Sequence, residues 1–194
     1  MIDWERRIAR AEELEREVPA AAEMLRFFGE IAKFQRDGGG REELQRSLSR
    51  AVPPEFLDRV LDQRREKPRA PTPTAANLCP RCGSKPVAAV LRPEGEGGKR
   101  FLLCSLCLAE WEFRRLVCPH CGEESHDKLP VYTAGEFPHI RIDACDSCRV
   151  YLKTIDLTRD GLAVPEVDEI ASVALDLWAR EKGYTKLQTN LLGI

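Results

Sequence analysis

Apolar positions in the first third of the chain recur every three to four residues, the spacing that places them on one face of a helix. Trp4, Ile8, Ala11, Leu14 and Val18 form one stripe, and Met24, Phe27, Phe28, Ile31 and Phe34 a second. Gly38-Gly39-Gly40 ends the second helix. Leu44, Leu48 and Val52 mark a third, stopped by Pro53-Pro54, and Leu57, Val60 and Leu61 a short fourth. The Arg and Glu residues between them read as a solvated face with i,i+4 pairing, and the phenylalanines as core. Further along, the helical period is lost. Residues 87–91 and 100–103 read as one hairpin, with Pro93-Glu94-Gly95-Glu96-Gly97-Gly98 at its tip. Residues 129–132 and 140–143 predict a second hairpin, and 151–155 a further strand. Val167, Ile170, Ala171, Ala174, Leu177 and Trp178 then predict a single amphipathic helix over 166–182, opened by Pro165 and capped by Gly183. That stripe is expected to pack on the strands or on the amino-terminal helices; a homodimer interface is its alternative use.

The strand region carries eight cysteines in four Cys-x-x-Cys pairs: Cys79/Cys82, Cys104/Cys107, Cys118/Cys121 and Cys145/Cys148. Two intervening residues let both thiolates of a pair reach one ion from a tight turn. A hairpin then brings a second pair to complete a tetrahedron. The spacers are 21 residues from Cys82 to Cys104, 10 from Cys107 to Cys118 and 23 from Cys121 to Cys145. They favour sequential pairing. Site one is then Cys79, Cys82, Cys104 and Cys107; site two is Cys118, Cys121, Cys145 and Cys148. A cross-braced pairing, first pair with third and second with fourth, is the alternative. Cys79-Pro80-Arg81-Cys82-Gly83 and Cys118-Pro119-His120-Cys121-Gly122 are one knuckle repeated. Proline fixes φ at the turn, and glycine accepts a positive φ that aims backbone N–H groups at sulfur. The other two pairs lack both residues and predict a looser knuckle in each site. The halves thus read as an internal repeat of roughly 40 residues.

Other uses of the cysteines fit less well. No apolar segment follows Met1 to direct the chain to a disulfide-forming compartment. A redox Cys-x-x-Cys follows a strand and opens a helix, a context missing here. Iron–sulfur ligands fall in more compact runs. Four thiolates suit zinc and a single iron equally, so the ligand set leaves the metal open.

The expected fold is α+β. A helical amino-terminal region spans residues 1–66. A proline-rich linker, 67–76, contains Lys67-Pro68-Arg69-Ala70-Pro71-Thr72-Pro73-Thr74. Residues 77–194 hold two tandem metal ribbons and the carboxy-terminal helix.

Charge narrows the function. The chain has a net charge of −2, and between Ala75 and Lys153 there are 11 Lys and Arg against 10 Asp and Glu. Eight thiolates and two divalent ions make that region negative, which argues against a phosphate-binding surface. Nucleic-acid binding remains the rival function for such ribbons, and redox sensing a third. A catalytic zinc keeps an open position, whereas four thiolates close each expected site, so no enzyme activity is expected. His120, His126 and His139 show no partner pattern and read as surface histidines. No apolar run approaches the ~20 residues of a membrane span.

Several segments together resemble the formate dehydrogenase accessory protein family (FdhE). The first run from Cys79-Pro80-Arg81-Cys82-Gly83-Ser84-Lys85-Pro86-Val87 to Leu103-Cys104-Ser105-Leu106-Cys107-Leu108-Ala109-Glu110-Trp111. Arg114 and Arg115 precede Cys118-Pro119-His120-Cys121-Gly122, and Cys145-Asp146-Ser147-Cys148-Arg149-Val150-Tyr151-Leu152-Lys153 follows. The last is Val167-Asp168-Glu169-Ile170-Ala171-Ser172-Val173-Ala174-Leu175-Asp176-Leu177-Trp178, leading to Gly183-Tyr184. The resemblance implies rubredoxin-like ribbons with all eight cysteines as ligands and iron as the expected metal. It implies a cytoplasmic assembly factor that binds the catalytic subunit of formate dehydrogenase during maturation. The family's helical amino-terminal region is usually much longer than the one here. Glu110, Trp111, Arg114 and Arg115, between the two sites, are the first candidates for the partner contact. The competing reading packs Trp111 between the ribbons and leaves the arginines solvated.

Overall fold

A computed structural model describes residues 3–64, 75–95 and 97–194. Within the expected linker, residues 67–74 lie outside the described residues. The helices begin where the side chains dictate. Asp3 caps α1 (Trp4–Glu17) by accepting from the Arg6 N–H at 3.0 Å. A short 3₁₀ turn, Pro19–Ala21, leads into α2 (Ala22–Asp37). Gly38, at φ +85°, ends α2 and returns its N–H to the Phe34 carbonyl at 2.9 Å. α3 (Arg41–Ser47) is shorter than the apolar spacing predicts. The Ser47 hydroxyl takes the Leu44 carbonyl at 2.8 Å, and Leu48 turns extended while staying buried. α4 (Pro54–Arg64) follows. Leu44, Leu57 and Val60 pack against Phe27, Ile31 and Phe34 of α2.

The strands β1 (Pro86–Glu94) and β2 (Gly97–Cys104) pair antiparallel, with β3 (Glu110–Glu112) on the outer side of β2. Their hairpin is longer than expected, since Pro93 and Glu94 pair with Gly98 and Gly97. The second unit is β4 (Val131–Thr133), β5 (Ile140–Cys145) and β6 (Val150–Asp156), also antiparallel. β4 starts late because a 3₁₀ turn occupies His126–Lys128 and Pro130 has no N–H to give. β1 runs parallel to β6, with Ala89, Val90 and Leu91 opposite Thr154, Ile155 and Asp156. The two ribbons are therefore one mixed sheet, ordered β3-β2-β1-β6-β5-β4. A short strand, β7 (Thr185–Lys186), pairs with the start of β6.

The expected single helix over 166–182 is two helices, α5 (Pro165–Ala171) and α6 (Val173–Glu181). The cause is a buried lysine. Lys153, fully buried on β6, donates to the Glu169 carbonyl at 2.5 Å, the Ser172 hydroxyl at 3.2 Å and Asp176 at 2.6 Å. The Ser172 hydroxyl in turn takes the Asp168 carbonyl at 2.9 Å. The Asp168 carbonyl keeps its helical bond from the Ser172 N–H, but the Glu169 carbonyl is taken by the Lys153 and Ser172 side chains, and the axis breaks at Ser172. The break also rotates the buried face of α6. Leu175, Asp176 and Ala179 point inward, while Ala174 and Leu177, placed on the buried stripe by the uninterrupted period, are exposed.

α5 is the centre of the molecule. Val167, Ile170 and Ala171 share a core with Ile8, Leu14, Leu25 and Phe28 of the amino-terminal helices. A second core, under the sheet, joins Val90, Ile142, Tyr151 and Ile155 to Leu175 and Ala179 of α6. Among the described residues, no helix is long and apolar enough to cross a membrane.

Candidate metal centres

The second pair of each centre begins on the last residue of a strand, Cys104 of β2 and Cys145 of β5, and the first pair sits in a turn ahead of the strands. Cys79–Cys82 precedes β1 and Cys104–Cys107 follows the pairing of β2; Cys118–Cys121 precedes β4 and Cys145–Cys148 joins β5 to β6. The sheet register brings the pairs together in sequential order, Cys79, Cys82, Cys104 and Cys107 in one cluster and Cys118, Cys121, Cys145 and Cys148 in the other. The cross-braced alternative is excluded by this geometry.

The sulfurs are spaced for a tetrahedron. In the first centre Cys79–Cys107, Cys82–Cys104 and Cys82–Cys107 are 3.5, 3.4 and 3.6 Å apart. In the second, Cys118–Cys148 and Cys121–Cys145 are 3.8 and 3.7 Å apart. Metal–sulfur bonds of about 2.3 Å in a tetrahedron place sulfurs about 3.8 Å apart. A disulfide would need about 2.05 Å, and all eight thiols are free.

The four knuckles are more alike than their sequences. The residue after each pair has a left-handed backbone: Gly83 at φ +75°, Leu108 at +56°, Gly122 at +79° and Arg149 at +59°. The expectation of looser knuckles at Cys104 and Cys145 is corrected here. Those turns adopt the same conformation and sustain a non-glycine residue in it. The repeat extends to hydrogen bonds. Arg81 N–H meets the Cys79 sulfur and His120 N–H the Cys118 sulfur, each at 3.4 Å. Gly83 and Gly122 return their N–H groups to the Cys79 and Cys118 carbonyls at 2.9 and 3.0 Å.

Burial pushes the metal-free Cys79 thiol up to about 11 and raises Cys118 as well. An ion entering either cluster must displace protons, so uptake releases protons and weakens as pH falls.

Residues outside the cysteines hold the knuckles. Glu123 spans both turns of the second centre: its carboxylate accepts from the Ser147 hydroxyl at 2.6 Å and the Ser125 N–H at 2.9 Å, and its carbonyl accepts from Cys118 N–H at 2.9 Å. Asp146, inside the last pair, accepts from the Tyr184 hydroxyl at 2.6 Å and from Arg149 at 2.8 Å. Asn77 links the centres by donating to the Pro119 carbonyl at 2.8 Å. The sequence offered no period or motif for Glu123 or Asn77.

All four residues proposed for partner contact have partners within the fold, but they differ in exposure, with Glu110 and Trp111 half-buried and Arg114 and Arg115 exposed. Trp111 packs against the first cluster and donates its indole N–H to the Ala76 carbonyl at 2.9 Å. Glu110 holds Arg92 through two bonds of 2.6 and 2.7 Å. Arg114 is exposed and pairs with Glu124; Arg115 donates to the Gly98 carbonyl at 3.0 Å.

His139 is also corrected. Its side chain is 14% exposed, and its Nε2 lies 2.9 Å from the Asp168 carboxylate. Asp160 is close enough to make a third ligand, but Arg10 already bridges Asp168 and Asp160 at 2.6 and 3.2 Å. The guanidinium occupies the place a cation would take. Burial raises Asp168, yet the bonds from His139 and Arg10 outweigh it and hold the carboxyl below its usual range.

Two segments named above for the family resemblance meet in the core. Lys153 of the Cys145–Lys153 run contacts Glu169 and Asp176 of the later helical run, and Tyr151 donates to Asp176 at 2.7 Å. Lys186 completes the network against Glu169 and Asp176.

Comparison with known proteins agrees with this geometry. Residues 78–115 match the family described as "FdhE, central domain", and 116–192 the one described as "FdhE, C-terminal domain". A "Protein FdhE homolog" of Aquifex aeolicus is 47% identical over 118 residues, covering 60% of this chain and 42% of that protein. Its namesake in Pseudomonas aeruginosa is 41% identical over 124 residues, covering 59% and 39%. In these alignments the chain spans about two fifths of the length of the curated relatives it matches. The crystal structure of the FdhE protein from Pseudomonas aeruginosa superposes with a TM-score of 0.67 at 24% identity, over 97% of this chain and 94% of that one. That likeness is one of fold.

Proposed function

We propose, for a chain that belongs to the FdhE family, an accessory role in formate dehydrogenase maturation: a metal-clamped adaptor that binds the enzyme's catalytic subunit and does no catalysis itself. The observation that carries this reading is the pair of four-cysteine clusters on one continuous sheet. Four thiolates leave an ion no open position for substrate, so such a centre shapes a surface instead of reacting. All eight cysteines act as ligands in this reading. Iron is the metal the family favours, and the ligands accept zinc equally.

The contact surface in this reading is the ridge between the two centres. With Glu110 and Trp111 half-buried, it narrows to the exposed Arg114, Arg115 and Leu116. Arg114 and Leu116 are 72% and 60% exposed. Arginine beside an exposed apolar residue is a common interface anchor.

The test is anaerobic purification of the tagged chain from its own host. Co-recovery of a formate dehydrogenase catalytic subunit, reduced by Leu116→Asp with two metal ions still bound, supports the reading. Recovery of nucleic acid without that subunit overturns it. Retained capture by Leu116→Asp removes the ridge and leaves the partner.

A further inference from the structure

The two centres differ in how far they are open to solvent. In the first, Cys79 and Cys104 are fully buried, Cys107 is 8% exposed and Cys82 is half-buried. Leu106, Ala109 and Trp111 pack over them. Cys82 alone is partly open to solvent there, and no cysteine of this centre is exposed. In the second, Cys121 is the one exposed cysteine and Cys148 is half-buried. On its other side, Cys118 and Cys145 line a cavity of about 140 Å³ that Leu116 and Val131 also border. The second centre is therefore the more open of the two, through Cys121.

We propose that the second centre is the molecule's metal-exchange site and that Cys121 is the ligand that leaves and returns, while the first centre stays loaded as a fixed part of the fold. This rests on the reading that both clusters hold an ion. Exchange at a four-thiolate ion needs a donor to approach as one thiolate departs, and an enclosing apolar shell suppresses that step. The incoming ligand is a soft donor, a thiolate above all. The incoming thiolate would replace the Cys121 thiolate one for one, with no change of oxidation state at the centre.

The remaining three ligands are held in place for such a cycle. Glu123 ties the Cys118 turn to Ser147, inside the Cys145 turn, through its carbonyl and carboxylate. Tyr184 and Arg149 fix Asp146 from the helix side.

The experiment uses the intact chain loaded with two zinc ions. EDTA is added in excess, and samples are pulsed with iodoacetamide and peptide-mapped. Release is expected in two phases of one equivalent each, the first roughly tenfold faster or more. Cys121 is expected to be alkylated before any cysteine of the first centre. Glu123→Ala is expected to accelerate the fast phase alone. A single phase, or alkylation that begins at Cys79, Cys82, Cys104 or Cys107, overturns the inference. A chain that takes up no zinc at either centre instead sinks the metal-binding reading beneath it.

Discussion

A left-handed residue follows every Cys-x-x-Cys, and that one backbone requirement explains much of the local sequence. At Gly122, with φ +79°, an added Cβ would meet nothing within 4 Å. Gly122→Ala is therefore expected to cost only the left-handed backbone term, about 1 kcal/mol, with both metals retained; denaturant titration of the loaded protein checks it. Lys153 is a different case. Removing its charge leaves Glu169 and Asp176 with one fewer cation in a buried network. Lys153→Met is expected to destabilise the fold by about 3–5 kcal/mol, because the penalty of unpaired buried carboxylates exceeds the gain from an apolar replacement. A loss below 1 kcal/mol by the same titration, on the scale of exposed pairs, would show that Lys186 suffices. Glu123 behaves differently with pH. The Ser147 hydroxyl and the Ser125 N–H hold its carboxyl near 2, below the ordinary 4.5. A depressed carboxyl stabilises the fold above its unfolded value and loses that contribution only as pH falls toward 2. Calorimetry of zinc uptake in buffers of different ionisation enthalpy should report proton release near neutral pH, and affinity should fall as pH is lowered.

Elements carry the next level of consequence. The periodic stripe in the carboxy-terminal segment is real, but the break at Ser172 changes which residues it buries. Leu175 is 9% exposed and Leu177 57%. Leu175→Ala is expected to cost about 2–5 kcal/mol and Leu177→Ala less than about 0.5 kcal/mol. An uninterrupted helix would reverse that order, so thermal or chemical denaturation of the pair separates the two structures. α3 shows the same effect on a smaller scale, since Leu48 reaches the core from an extended backbone once Ser47 has ended the helix.

At the scale of the whole molecule, α5 joins two bodies that read as separate along the chain. Its apolar side faces α1 and α2, and its polar residues Asp168 and Glu169 face Arg10 and Lys153. Deleting residues 1–74 should expose Val167, Ile170 and Ala171 together. The expected result is increased binding of an apolar dye and a lower melting temperature, with both metals still present. A truncated chain with unchanged melting would show that the sheet and its ions support α5 without help.

The sequence by itself determined the local features. Helical periods, the hairpins, the repeated knuckle and the sequential grouping of eight cysteines all follow from short-range geometry, which period and spacing record directly. Tertiary structure decided what depends on distant partners. The parallel pairing of β1 with β6 makes one sheet of two ribbons, and nothing in either strand's own pattern specifies its neighbour. The break at Ser172 depends on Lys153 arriving from another strand, and the place of His139 on Asp168 arriving from a helix. The unequal openness of the two centres also arises there, because eight similar cysteines acquire different exposure only when the surrounding chain buries one cluster more fully and leaves Cys121 of the other exposed.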